Sequence, residues 1–502
     1  MKLVGTLVGK SGTRYVTFRV FEEVNVNDLV LIENSKRRFL GVVRWISHVN
    51  IAKNQYSPFI VQGDEETIDA LGYMNASAEL LGVLDEEGRL IPRITIPPIV
   101  GSKSDIYLLE EGDEILVNVS QPVYIGVYSS SSRLFQLDAS YVNYHIAVVG
   151  TTGTGKSHLV RLLAKAFSLK DIKSIIFDHT GQDYAPFFKE DSAFRVIEDR
   201  EVLPSPAGIA SVIANEVGNE YAEDIEISIY AYLASGGNPG ETAEFFEALG
   251  LMEDYRKSKK YSLIQNRKPG KIEIAGPEEF KNIEWRNEEY LEILRYTMAL
   301  LARRNTTIAK VIMRYLISGL DLAKFNGRKY TPKEVAELLV NGDKSLVLDL
   351  SNEPMAIKWS LLKDTIKFLW KKVQDKGGDR IVIVVDEAQN YASAGTPTAS
   401  ILEEIARRGR KFGVGLILAS QRWVTDLSTG IRNNINTVFF SQLAVESDIA
   451  EISKVVATEN VDLSSLDKGY FYVSGLLNPM RKPLLLHTFP TVEEVVKANA
   501  GR

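Results

Sequence analysis

Apolar and polar residues alternate in short runs along the first part of the chain. Leu3 to Val8, Thr13 to Phe21, Asp28 to Glu33 and Arg38 to Ile46 each alternate over the length of a strand, and Gly9-Lys10-Ser11-Gly12 and Asn34-Ser35-Lys36 punctuate them as turns. Each strand carries a single apolar face and no cluster of catalytic side chains, so residues 1–95 read as a small β-barrel for assembly or interaction. Within it, Asp64 to Glu87 has a more helical pattern. Pro97, Pro98 and Gly101 then interrupt regular structure. Residues 96–135 read as a linker with extended segments, among them Glu114 to Val119 and Pro122 to Tyr128.

From about residue 136 the period changes. Uninterrupted apolar runs at Ile146 to Val149, Ser174 to Phe177, Ser345 to Leu350, Ile381 to Val385, Gly415 to Ala419 and Thr437 to Phe440 have the character of strands buried on both faces. Helical stretches such as Leu159 to Ala166 stand between them. This alternation predicts an α/β domain over 136–502 with a mainly parallel sheet and right-handed crossovers. A stretch from about 205 to 340 lacks comparable strands and reads as a helical insertion, with Tyr290 to Ala302 its clearest amphipathic segment.

The strand ending at Val149 runs straight into Gly150-Thr151-Thr152-Gly153-Thr154-Gly155-Lys156-Ser157-His158. The spacing G-x-x-x-x-G-K-S between a strand and a helix is that of a P-loop. Its backbone N–H groups encircle phosphate oxygens, Lys156 reaches the β and γ phosphates, and the Ser157 hydroxyl is offered to Mg²⁺. The run of five β-branched residues at Ile381 to Val385 ends in Asp386-Glu387. Open α/β sheets bind ligands at that end of their strands. Asp386 is placed to hold Mg²⁺ through water, and Glu387 to deprotonate an attacking water, so the pair predicts hydrolysis.

Three further positions each admit two readings. Gln421, after the strand Gly415 to Ala419, is either a sensor of the γ phosphate or an ordinary polar residue at a strand end. Arg407, Arg408, Arg410 and Lys411 end a helix, where they either complement the helix dipole or send an arginine into a neighbouring subunit's site. Asp178 in Asp178-His179-Thr180-Gly181-Gln182-Asp183-Tyr184 either orients water or Mg²⁺ or caps a turn.

Taken in order, the N-terminal barrel, the Pro-Pro-x-x-Gly linker, G-T-T-G-T-G-K-S, D-H-T-G-Q-D-Y, V-V-D-E-A-Q, R-R-G-R-K-F-G-V-G and S-Q-R resemble the HerA branch of the HerA/FtsK family of P-loop translocases. The resemblance covers most of the chain. It implies a RecA-like core, a hexameric ring, and ATP-driven movement of double-stranded DNA, often together with a nuclease in DNA end processing. It further implies that Lys156 and Ser157 bind phosphate and Mg²⁺, that Asp386 and Glu387 are the acidic pair, that Gln421 is the γ-phosphate sensor, and that Arg410, with Arg408 second, is the arginine acting in trans. Gln182-Asp183 stands where Gly-Glu is more usual in the family, and Trp423 follows Gln421-Arg422 in place of the common proline.

Composition sets limits on this picture. At 502 residues the chain exceeds a single core. Hydrophobic residues at 45% and charged residues at 25% are ordinary for a soluble globular protein, and no apolar run has membrane-spanning length, which points to the cytoplasm. The absence of cysteine removes disulfides, thiolate metal ligands and cysteine catalysis together. A net charge of −6 argues against a surface coated in positive charge but is compatible with a ring whose pore alone is basic. Two other functions fit the same motifs: a ring ATPase that threads polypeptide, and a scaffold locked by nucleotide without useful turnover.

Overall fold

The computed structural model describes residues 1–34, 37–50, 72–101, 104–110, 113, 116–198, 200–223, 225–226, 325, 327–376, 380–455, 463 and 465–500. Seven N-terminal strands follow from the alternation: β1 (Lys2–Val8), β2 (Tyr15–Val20), β3 (Leu29–Asn34), β4 (Arg37–Asn50), β5 (Gly72–Leu84), the short β6 (Leu90–Ile91) and β7 (Ser104–Leu108). They form one sheet in the order β2-β1-β7-β3-β4-β5-β6, and β2 also pairs with β5, which closes six of them into a barrel. Val4, Val16, Phe18, Val30, Ile32, Phe39, Val43, Ala78 and Ile106 fill its interior. Each valine, isoleucine or phenylalanine side chain so taken from water stabilises by roughly 1.5–3 kcal/mol.

Strand β5 corrects the helical reading of Asp64 to Glu87 over the part of that segment that is described. Ala76, Ala78 and Leu80 are buried at alternate positions, the period of a strand. Alanine and leucine favour helix locally, but β2 and β4 take up both edges of β5, and pairing on two sides overrides that preference. The segment 96–135 contributes β7 to this barrel and β8 (Pro122–Tyr128) to the second sheet. In the stretch Glu114 to Val119, Leu116 makes only an isolated bridge with Arg89.

The remaining strands are β9 (Leu134–Asp138), β10 (Ile146–Val149), β11 (Lys173–Asp178), β12 (Phe194–Ile197), β13 (Ser345–Asp349), β14 (Ile381–Val385), β15 (Val414–Ser420), β16 (Thr437–Phe440), β17 (Tyr470–Gly475) and β18 (Leu484–Thr488). The helices used below are α1 (Lys156–Ser168), α2 (Pro206–Val217), α3 (Pro332–Asn341), α4 (Met355–Lys376), α5 (Ala399–Arg408) and α6 (Val492–Asn499).

By its contacts the chain divides into two units, one of residues 1–172, 387–394 and 414–502, the other of 173–386 and 395–413. In the first, β15, β10 and β16 are parallel neighbours, and β17, β18, β8 and β9 follow them antiparallel. In the second, β12, β13, β11 and β14 lie side by side, all parallel. Every residue of β10, β14 and β15 is buried, as their uninterrupted apolar runs require. The fold is therefore α/β, with a mainly parallel arrangement and an N-terminal barrel.

Helix α1 buries Leu159, Val160, Leu162, Leu163, Ala166 and Phe167. The Asn499 side chain on α6 accepts from Tyr124 N at 3.1 Å and donates to Tyr124 O at 2.8 Å, which fixes α6 to β8. Of the expected helical insertion, the flanking helices are present. Ser205 caps α2, and Thr331 with Glu334 forms a capping box at α3. Most of the insertion, including Tyr290 to Ala302, lies outside the described residues.

Within the first unit the barrel is tied to the β17–β18 hairpin by a buried ionic cluster. Arg44 on β4 donates to Glu79 on β5 through Nε at 3.0 Å and Nη2 at 2.9 Å. Arg44 also donates to the Pro483 carbonyl, and Lys482 Nζ lies 3.4 Å from Glu79. The Arg44 and Glu79 side chains are 3% and 1% exposed, so neither charge is relieved by water.

Candidate functional site

In the first unit, the ends of β10, β15 and β16 come together around residues 150–157. Gly150 N donates to Ser420 O at 3.3 Å and Thr151 N to Gln442 O at 2.9 Å, so the loop leaves β10 held by both neighbouring strands. A methyl group on Gly150 would meet Thr154 Oγ1 at 3.0 Å and Ser441 Cβ at 3.2 Å, which explains the first glycine by close packing. Gly153 and Gly155 have φ of +87° and +99°, a region closed to most side chains. Thr154 Oγ1 donates to Thr151 O at 2.9 Å, and Lys156 Nζ donates to the same carbonyl at 3.1 Å. The result is an arch whose backbone N–H groups and lysine ammonium can surround an anion at the start of α1.

His158, one residue past Ser157, has Nε2 2.6 Å from the Phe489 carbonyl. A carbonyl only accepts, so Nε2 carries the proton, and Nδ1 faces the Arg161 guanidinium at 3.4 Å. Burial holds the imidazole below its ordinary value of 6.5, and the charges of Arg161 and Lys468 add to the effect.

Glu387 stands at the start of the segment 387–394 of this same unit. Its φ is +46°, rare for a non-glycine residue, and the next residue donates from Ala388 N to Ala419 O on β15 at 2.8 Å. That bond places the Glu387 backbone beside the strand next to β10. The Glu387 carboxylate also accepts from the Gln389 side chain. Gln421, directly after β15, is exposed. The loop beyond it is fixed by Asp426, whose Oδ2 accepts from Arg422 N at 2.8 Å and Ser420 Oγ at 3.2 Å, while Trp423 packs inward at 2% exposure. The tryptophan found in place of proline thus acts as a core side chain.

In the second unit, Asp386 is buried at the end of β14. The Tyr184 phenol is held well above its ordinary value, first by burial and then by the nearby negative charge of Asp386. Asp178 is fully buried, and its carboxylate accepts from Gly181 N, Tyr184 N and Ala185 N, all at 3.0 Å. This is the geometry of a turn cap, and it draws both oxygens toward the chain's own backbone. Burial raises the Asp178 carboxyl above its ordinary value against the lowering effect of those three donors.

The basic run at the end of α5 divides in two. Arg408 donates to Glu404 at 3.0 Å and lies 5.9 Å from the centre of the Trp370 ring, and Trp370 Nε1 donates to the same glutamate at 3.2 Å. Arg410 lies beyond the helix, exposed on the short turn Gly409–Phe412.

One element close to the arch was not singled out from the sequence. The turn Asp467–Tyr470 packs onto it, with Gly469 N donating to Thr154 O at 3.0 Å. Asp-Lys-Gly ahead of Tyr-Phe-Tyr-Val is a recognisable turn-and-strand signal, but nothing local tells which surface the turn meets.

Ser157 in the first unit supplies a hydroxyl, and Asp386 in the second is a carboxylate; each by itself is a hard oxygen donor of the kind Mg²⁺ takes while it keeps several waters. Among the described residues no group of three or more histidine, aspartate or glutamate side chains forms an all-protein cage for a metal. A hydroxyl or a carboxylate taken singly suits a metal whose other positions are filled by water and a phosphate ligand. No helix among the described residues is long and apolar enough to cross a membrane.

Residues 123–354 match the family model described as the central domain of the helicase HerA. The chain is 24% identical to the DNA double-strand break repair helicase HerA of Sulfurisphaera tokodaii, over 96% of this chain and 92% of that protein. It is likewise 24% identical to the probable DNA double-strand break repair helicase HerA of Methanocaldococcus jannaschii, over 93% of this chain and 92% of the other. Among solved structures, VirB4 of Thermoanaerobacter pseudethanolicus is similar with a TM-score of 0.47 and 16% identity, over 75% of this chain and 99% of that one.

Proposed function

We propose that this chain, a HerA-like P-loop ATPase of the helicase and translocase kind, moves double-stranded DNA through a hexameric ring of its own copies, in DNA end processing or repair. The observation that carries the reading is the placement of Glu387, held at φ +46° against the strand that neighbours the P-loop strand. A carboxylate positioned there supplies a base for water, which a protein that only bound nucleotide would not need.

In this reading the arch from Gly150 to Ser157, with His158 N–H next in line, takes the phosphate chain of ATP, and Lys156 turns from Thr151 O to the β and γ phosphates. Ser157 and Asp386 would hold Mg²⁺, which when bound neutralises phosphate charge and aligns the γ phosphate. Glu387 accepts the proton of the attacking water. Gln421 lies against the γ phosphate and registers its departure. Asp178 caps the turn Gly181–Ala185 within the second unit, in place of the water-orienting role its position first offers. Arg410 of a neighbouring copy stabilises the charge that develops in the transition state, while Arg408 is engaged by Glu404 and Trp370 in its own copy.

Loss of the γ phosphate then moves loops that face the pore, and DNA gripped by its backbone is drawn along. Contacts of that kind ignore sequence and weaken steeply as salt rises. The test is ATP-dependent displacement of a third strand annealed to a linear duplex, a signal that needs no strand separation. Displacement that requires ATP and fails in Glu387→Gln supports translocation. Turnover of ATP with the third strand left in place contradicts it.

A further inference from the structure

We propose that Lys468 is a further nucleotide-binding residue, which closes the P-loop from outside and places its ammonium against the phosphate chain at the α-phosphate end. The proposal rests on the reading of residues 150–157 as a phosphate site and extends it to an element more than three hundred residues away in sequence.

The turn that carries Lys468 is built to a fixed shape. Tyr470 N donates to Asp467 O at 3.2 Å, so Lys468 and Gly469 are the two central residues of a four-residue turn. Gly469 has φ of +88°, which a type II turn requires at its third position. The turn is also fixed in place. Gly469 N donates to Thr154 O at 3.0 Å, and Gly469 O accepts from Thr488 N at 3.0 Å and Thr488 Oγ1 at 3.2 Å. One end of this peptide is thus bonded to the P-loop and the other to β18.

Lys468 therefore cannot drift far from the arch. A methyl group on Gly155 would sit 3.6 Å from Gly469 N and 4.0 Å from Lys468 Cγ, so the lysine stem lies along the outside of the loop at the residue before Lys156. Gly155 and His158 bracket the stretch of backbone that meets the inner phosphates in a P-loop, whereas Lys156 reaches outward to the γ phosphate. A flexible four-carbon stem rooted at this point presents a mobile point charge to the inner phosphates. Lys468 is exposed, so its reach is not blocked by packing and its replacement does not open the core.

The experiment is nucleotide binding to the full chain without DNA, measured calorimetrically for ADP and AMP, with Lys468→Met, Lys468→Arg and Lys156→Ala. A charge-assisted contact of this kind predicts roughly a tenfold rise in the Kd of ADP for Lys468→Met, most of it restored in Lys468→Arg. AMP binding is weakened by a similar factor, because the contact is to the inner phosphates. Melting temperatures within about a degree of the parent check that the fold is intact. Binding of ADP by Lys468→Met within about twofold of the parent overturns the proposal and leaves the P-loop reading standing. Absence of nucleotide binding in the parent chain overturns both.

Discussion

Replacing Glu79 with alanine probes how the barrel is held to the rest of its unit. The Glu79 carboxylate, 1% exposed, receives two bonds from the Arg44 guanidinium at 3.0 and 2.9 Å, with Lys482 at 3.4 Å and Arg14 at 3.7 Å. Its loss leaves the Arg44 charge buried and paired only with neutral acceptors such as the Pro483 carbonyl. Breaking a buried pair by removing one partner costs about 3–5 kcal/mol, on the order of 10 °C in melting temperature for a large folding unit. The cost arises from the stranded charge more than from the lost bond. Removing both partners in Glu79→Ala with Arg44→Met should therefore recover much of it, with a coupling energy near 2–3 kcal/mol. Scanning calorimetry of the parent, both single variants and the double variant measures the cycle. A single-variant shift of less than about 1 kcal/mol, or strict additivity, would refute the argument that the pair is buried and mutually dependent.

Four predictions concern the site. Glu387→Gln should lower ATP turnover by about 10²- to 10⁴-fold while nucleotide still binds, as read by phosphate release beside calorimetric binding; turnover within tenfold of the parent rejects the base role. Arg410→Ala should reduce turnover by about 10³-fold or more, and mixing it with Lys156→Ala chains should restore activity at junctions that pair one intact P-loop with one intact arginine. Arg408→Ala, which loses an exposed pair to Glu404, should change stability by no more than about 1 kcal/mol and leave turnover near the parent's. The depressed pKa of His158 favours the neutral imidazole in the folded chain, so its stabilisation is present above pH 6.5 and is lost as pH falls from there through the folded value. His158→Gln should accordingly flatten the decline of melting temperature in that acid window, and an unchanged decline rejects the assignment.

What could be read from the chain beforehand divides by the range of the interaction involved. The P-loop was legible because its glycines, its lysine and the strand before it are all local, and the structure gives Gly150 a packing reason and Gly153 and Gly155 a conformational one. Asp386 and Glu387 stood out because two carboxylates end a run that is buried throughout. Strand β5 is hidden in the sequence because its alanines and leucines are good helix formers, and its extended form depends on pairing with β2 and β4. Glu404 is spaced to pair with Arg408, but Trp370, which completes that site, is far off in sequence, so spacing alone does not decide between a helix-dipole role and a trans role for the basic run. The contact of the Asp467–Tyr470 turn with Thr154 is of the same long-range kind.

In the proposed motor, hydrolysis is coupled to duplex DNA. Steady-state ATP turnover of the full chain, measured with and without linear duplex at low and moderate salt and with Lys156→Ala as the blank, addresses it most directly. Duplex should stimulate turnover several-fold, an effect diminished as salt rises and absent in Lys156→Ala. Turnover that depends on Lys156 yet is indifferent to DNA at every salt concentration would contradict it.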